Sequence, residues 1–144
     1  MKAIRHIGIV VRDLEKMLHF YGDLLGLKVV KDQDELGNYI DIIVGLKNTM
    51  IRTVKMEADD GSLIELLYFQ SHPQVDFNEK KLCNLGISHI AFTVKNLDLE
   101  YQRLLKAGVE FISSPQKSTD GFAKVVFCKD LESNFIELVE ELHF

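Results

Sequence analysis

His6-Ile7-Gly8-Ile9-Val10-Val11-Arg12-Asp13-Leu14 returns 83 positions later as His89-Ile90-Ala91-Phe92-Thr93-Val94-Lys95-Asn96-Leu97. His, Ile, Val and Leu coincide, and Arg12/Lys95 and Asp13/Asn96 correspond in kind. A second echo closes each half. Ser62-Leu63-Ile64-Glu65-Leu66-Leu67 and Asn134-Phe135-Ile136-Glu137-Leu138-Val139 share the run Ile-Glu-Leu. Two copies at this spacing are too long and too few for a solenoid, so the chain reads as one supersecondary module used twice.

Each copy can be read outward from its histidine. Residues 4–11 alternate and are rich in Ile and Val, which predicts a strand. Asp13 suits a helix N-cap. Leu14, Met17, Leu18, Tyr21, Leu24 and Leu25 fall on one helical face, and Gly26 suits the left-handed stop. The second copy repeats the plan with a strand at 87–94, Asn96 as cap, Leu97, Tyr101, Leu104 and Leu105 as the face, and Gly108 as the stop. Strand-like runs follow around 28–31, 39–44, 50–57 and 63–69, then around 110–113, 122–128 and 134–140, with turn chemistry at Asp60-Gly61 and Asp120-Gly121. The shared order is β-α-β-β-β, twice, with one run more in the first copy. One domain over 1–144 is expected, made of module 1 (3–70), a connector (71–86, with Pro73) and module 2 (87–144).

Composition narrows the function. A chain of 144 residues buries enough surface to need no disulfide staples. Cys83 and Cys128 lie 45 positions apart without a Cys-x-x-Cys pattern, and read as reduced thiols. Acidic residues number 22 against 17 basic ones, a net charge of −5 with no basic block, which excludes the electrostatic footprint of a nucleic-acid binder. No apolar run nears the ~20 residues of a membrane span, and the N-terminus lacks a signal-peptide core. A cytoplasmic protein with no membrane partner is expected.

Alternation places the candidate chemistry. His6 shares its strand face with Ile4, Gly8 and Val10, and His89 with Ile87, Ala91 and Thr93, so small neighbours leave room before each imidazole. Glu65 lies among Leu63, Leu67 and Phe69, and Glu137 among Phe135 and Val139. A carboxylate among apolar neighbours needs a compensating charge. Taken singly, each His reads as a core or edge residue and each Glu as the partner of a Lys or Arg. Their matched placement favours a divalent cation held by two imidazoles and two carboxylates, a mixed donor set that suits Zn, Ni, Co, Mn or Fe. His19, His72 and His143 read as solvent residues. Arg52, Lys47 and Lys124 read as solvated charges or as guides for an anionic substrate. Glu57-Ala58-Asp59-Asp60 reads as a turn.

With His19-Phe20-Tyr21-Gly22-Asp23-Leu24-Leu25-Gly26-Leu27 added, these motifs resemble the vicinal oxygen chelate superfamily over nearly the whole chain. That superfamily includes glyoxalase I, methylmalonyl-CoA epimerase, extradiol dioxygenases and metal-free drug-binding proteins. The resemblance implies an α+β fold in which two βαβββ modules form a curled mixed-sheet half-barrel around one metal. Its ligands would map onto His6, Glu65, His89 and Glu137, and the chain would form a homodimer. Two substrate oxygens would chelate the metal. Glu137 or Glu65 would remove a proton next to a carbonyl to give an enediolate or enolate.

The ligand set is similar to bacterial glyoxalase I. Val10, however, stands where that branch has a glutathione-gripping arginine, and Asp130-Leu131-Glu132-Ser133-Asn134 replaces its Asp-Pro-Asp-Gly-Asn run. The opening is equally similar to the epimerase, which commonly has an amide at the position of Glu65. Glu35 is a rough counterpart of the epimerase's loop glutamate. Four ligand positions argue against the extradiol dioxygenases, which hold iron through two His and one carboxylate, and against the drug-binding members that lack ligands. A metal-dependent lyase or isomerase is therefore expected, acting on a small molecule such as a thiol adduct or an acyl-CoA thioester. The rival expectation is a metal-free binding protein whose cup is lined by Phe69, Phe92, Phe122 and Phe127.

Overall fold

The computed structural model describes residues 1–76 and 79–143. The chain divides into two compact units, Met1–Asp76 and Phe77–Phe144. The connector read at 71–86 includes residues 77–78, which lie outside the described residues, as does residue 144 of the second module.

In the first unit β1 (Ile7–Val10) leads into α1 (Leu14–Leu18), which widens into a π-type helical segment, His19–Leu24. β2 (Lys28–Leu36), α2 (Asn38–Val44), β3 (Met50–Glu57) and β4 (Leu63–Phe69) follow. Asp13 caps α1 as its sequence suggests, accepting from the Lys16 N–H at 3.1 Å. Gly26 takes φ +83° where the helix ends, a conformation open to glycine at little cost. The strands form a mixed sheet in the order β1-β4-β3-β2, with only the β1–β4 pair parallel. Alternation then divides the sheet. Val54, Met56, Ile64 and Leu66 are buried on one face, and Met17, Phe20 and Tyr21 of the helical segment are buried completely. Gly22 permits the close approach between the two layers, since a Cβ there would stand 3.3 Å from Met56 Cε. The opposite face carries Glu65.

The second unit contains β5 (His89–Thr93), α3 (Leu97–Lys106), β6 (Glu110–Phe111), β7 (Gln116–Lys117), β8 (Ala123–Lys129) and β9 (Phe135–Glu141). Asn96 caps α3, accepting from the Leu99 N–H at 3.0 Å. The sheet order is β5-β9-β8-β6, with β5 parallel to β9 and β7 on β8. Val126, Cys128, Ile136 and Leu138 are buried on one face, and Leu97 and Leu104 of α3 are buried too. Tyr101 of α3 meets Phe111 edge-on at 4.7 Å.

Three expectations are corrected. The curled half-barrel is absent. Pairing ends at β1 and β2 in one sheet and at β5 and β6 in the other, and among the described residues no strand pair joins the two. Closing a barrel requires the edge strands to pair with a staggered register. Here each ladder stops at its edges, so these are two open mixed sheets. The strand expected at 39–44 is helical, within α2. The run at 110–113 is a two-residue strand followed by a second short one at Gln116–Lys117.

Candidate metal centre

The internal repeat holds at the level of strand register. In the first unit the parallel β1–β4 pair sets Gly8 beside Glu65, and in the second the parallel β5–β9 pair sets Ala91 beside Glu137. Each histidine lies two residues before that small residue, so each unit brings one imidazole to one carboxylate. His6 Nε2 stands 3.7 Å from Glu65 Oε1, too long for a hydrogen bond. His89 Nε2 stands 3.1 Å from Glu137 Oε2. The carboxylates are enclosed, with side-chain exposures of 13% for Glu65 and 22% for Glu137.

The surroundings of the two pairs differ. Ser88 Oγ lies 2.6 Å from His89 Nδ1, and the Phe127 ring meets the imidazole edge-on at 5.0 Å. With one nitrogen held by the hydroxyl, the other faces Glu137, which is how ligating imidazoles are usually oriented. His6 Nδ1 is buried and has no hydrogen-bond partner. Glu65 has a cation of its own. Lys55 sits directly opposite it on β3, and Lys55 Nζ lies 3.2 Å from Glu65 Oε2. The corresponding position across from Glu137 is Phe127.

The donor chemistry of both pairs fits a borderline divalent ion. Two donors each about 2.0–2.2 Å from one ion are separated by roughly 3 Å or more, and the observed 3.1 and 3.7 Å satisfy that spacing. Each pair supplies two donors. Among the described residues no group of three or more His, Cys, Asp and Glu is gathered as a metal cluster.

Glu35 lies toward the end of β2 on the face that carries Glu65, because it is opposite Ile51 and Ile51 is opposite Phe69. Its carboxylate accepts from the Gln33 amide. The other candidates are engaged in pairs. Arg52 makes a bidentate pair with Asp32 at 2.9 and 2.7 Å, holding that carboxyl below the usual carboxylate range. Lys124 contacts Asp98 at 2.6 Å, which raises its own pKa. His19 pairs with Asp23, His72 lies against Ser71, and His143 approaches Glu141. Phe122 is exposed, whereas Phe69, Phe92 and Phe127 are half-buried.

Lys55 and Ser88 are the residues that reading the sequence missed. Ser88 precedes its histidine directly and was available as a neighbour. Lys55 becomes visible only when β3 is aligned with β4 across the turn at Asp60-Gly61, which sets Lys55 opposite Glu65.

The model of the Glyoxalase/Bleomycin resistance protein/Dioxygenase superfamily matches residues 3–138. The chain belongs to that superfamily. Its fold is that of a family with metal-dependent enzymes. It is 29% identical over 139 residues to the ethylmalonyl-CoA/methylmalonyl-CoA epimerase of Cereibacter sphaeroides, covering 94% of this chain and 95% of that one. It is 28% identical over 149 residues to the lactoylglutathione lyase of Schizosaccharomyces pombe, covering 96% of this chain and 47% of that protein. The crystal structure of a glyoxalase family protein from Bacillus cereus superposes with a TM-score of 0.90 at 25% identity, over 99% of this chain and 96% of that one. Among the described residues no helix is long and apolar enough to cross a membrane.

Proposed function

We propose that this superfamily member is a divalent-metal-dependent lyase or isomerase that removes a proton next to a carbonyl of a small molecule. His6, Glu65, His89 and Glu137 hold the ion, with the two His–Glu pairs contributed by one chain or by two copies. The observation that carries the reading is the doubled pair, one per unit, at equivalent registers on open sheet faces.

A bound ion supplies a Lewis acid that polarises the substrate carbonyl and makes the adjacent C–H more acidic. The protein's own part follows from its residues. Ser88 fixes the His89 ring so that Nε2 faces Glu137. Gly8 and Ala91 are exposed beside the two glutamates and leave room for a ligand. Glu137 or Glu65 takes the proton, a role for which a positioned carboxylate contributes roughly 10²–10⁴-fold. Thiol adducts and acyl-CoA thioesters are the substrate classes the reading takes, because the similar proteins named above include a lactoylglutathione lyase and an acyl-CoA epimerase. A homodimer belongs to the same reading, supported by the exposed Tyr39, Ile42 and Ile43 of α2. A cytoplasmic setting is supported by two cysteines that are both free thiols.

The test is solvent deuterium exchange by reconstituted protein into hemithioacetals and into 2-methyl acyl-CoA thioesters. Exchange is expected with one class and not the other, and Glu137→Gln, assayed at a metal concentration high enough to keep it loaded, is expected to slow it at least a hundredfold. Full exchange by metal-loaded Glu137→Gln removes Glu137 as the base. A second reading is favoured by Lys55, which already balances Glu65 without a metal. In it the chain binds a small apolar ligand and catalyses nothing. Affinity for such a ligand that survives His6→Ala, with no metal uptake, would support it.

A further inference from the structure

We propose that Lys55 is a resident cation that a divalent metal must displace from Glu65, so that Lys55 sets the metal affinity of the first half-site and makes Glu65 the more weakly held of the two glutamate ligands. The inference rests on the metal reading above and goes beyond it by ranking the two halves.

The two units are repeats with one decisive difference. Across the antiparallel β3–β4 ladder, Glu65 faces Lys55; across the β8–β9 ladder, Glu137 faces Phe127. The lysine is enclosed. Its side chain is 21% exposed, that of Glu65 is 13% exposed, and Nζ stands 3.2 Å from Oε2. The next position along the same rung, opposite Lys55 on β2, is Lys31. The face that offers Glu65 to a metal therefore carries positive charge alongside it. Among the described residues Glu137 meets His89 Nε2, a neutral donor whenever it ligates, and the lysine on its face, Lys129, sits opposite Phe135 and is engaged by Glu110 at 2.9 Å.

An ammonium has three N–H donors and no lone pair, so it competes with a metal for the carboxylate rather than joining it as a ligand. Once an ion is bound, the lysine is a like charge beside a dication in a partly enclosed setting, where solvent and salt screen poorly. A rival role has the opposite sign. If Lys55 mainly held Glu65 in position, as outer partners of metal ligands often do, its removal would weaken metal binding. The sign of the change therefore decides between the two.

The experiment measures Co²⁺ affinity of the full chain by competition with a chromophoric chelator. It compares the wild type with Lys55→Met, Lys55→Gln and Lys55→Arg, and with Glu65→Gln and Glu137→Gln. Lys55→Met and Lys55→Gln are expected to bind Co²⁺ at least about tenfold more tightly, and Lys55→Arg to bind as the wild type does. Glu137→Gln is expected to lose about tenfold more affinity than Glu65→Gln. In the absence of metal, Lys55→Met is expected to melt lower than the wild type, because Glu65 loses its partner, and to regain stability on adding Co²⁺. If Lys55→Met does not fold, Lys55→Gln, one atom shorter than lysine but with a neutral polar head, gives the same readout. Unchanged or weaker Co²⁺ binding in the lysine variants, or equal losses in the two glutamate variants, overturns the proposal and leaves the metal reading standing. A wild type that takes up no stoichiometric Co²⁺ overturns both.

Discussion

Cys128 is fully buried on β8, on the face shared with Ile136 and Leu138. Burial first, and then the charge of Asp130, pushes its thiol up to about 12. The thiolate is the reactive form, so Cys128 is inert near neutral pH while the protein is folded. Cys83 is exposed. A thiol-specific chromogenic disulfide reagent at about pH 8, a little below a free thiol's usual pKa, is expected to label one cysteine per native chain. The second should appear only on unfolding, and two fast thiols in the native state would contradict this burial. The neighbouring residue-scale difference, Lys55 against Phe127, was not legible in the sequence. Alternation says that Lys55 shares a face with Thr53 and Ile51, but the cross-strand partner is a fact of pairing. Glu65 therefore has its charge balanced by Lys55 without a metal. Glu137, with Phe127 and Ala91 as its cross-strand partners, has no such cation directly across from it.

At the scale of elements, α2 shows where propensity misleads. Tyr39, Ile40, Ile42, Ile43 and Val44 are residue types that favour strands, and the stretch reads as one. It folds as a helix because its polar side chain is used locally. Asp41 accepts from the N–H groups of Asn48 and Thr49 at 3.0 and 2.7 Å, tying the helix to the start of β3. Ile40 is its buried contact, while Ile42 and Ile43 face out. These hydrogen bonds, that from Thr49 foremost, hold the Asp41 carboxyl below its usual range. A carboxyl depressed in the folded state adds stability that is present above its unfolded value, about 3.9, and is lost as pH falls through the lower folded value. Urea midpoints measured from about pH 6 downward are expected to fall across that acid window, and Asp41→Asn is expected to flatten the fall. An unchanged profile in Asp41→Asn would remove Asp41 from the account.

The helix caps, by contrast, are readable as short-range chemistry. Asp13 and Asn96 occupy corresponding places in the repeat and each accepts from the N–H three residues on. Asn96→Ala should cost about 1 kcal/mol of unfolding free energy, measured by denaturant titration. No loss would mean that the cap does not support α3.

At the scale of the molecule, the doubled motif was legible because it is a pattern of identities. The Ile-Glu-Leu runs and the two histidines place corresponding residues at corresponding registers, Gly8 with Glu65 and Ala91 with Glu137. The curvature of the sheets was not legible. Alternation reports which face a side chain takes, whereas closure depends on whether edge strands find partners, and here β1, β2, β5 and β6 end their ladders. The superfamily assignment carries the reading as far as a family with metal-dependent enzymes. The step from two His–Glu pairs to one metal site is a matter of ligation. It is tested most directly by measuring bound metal per chain after reconstitution with Co²⁺ or Zn²⁺, for the wild type, His6→Ala and His89→Ala. One ion per chain in the wild type, with at least a tenfold loss of affinity in each single variant, is the predicted result. No stoichiometric metal in the wild type, or an ion that survives either substitution unchanged, would contradict it.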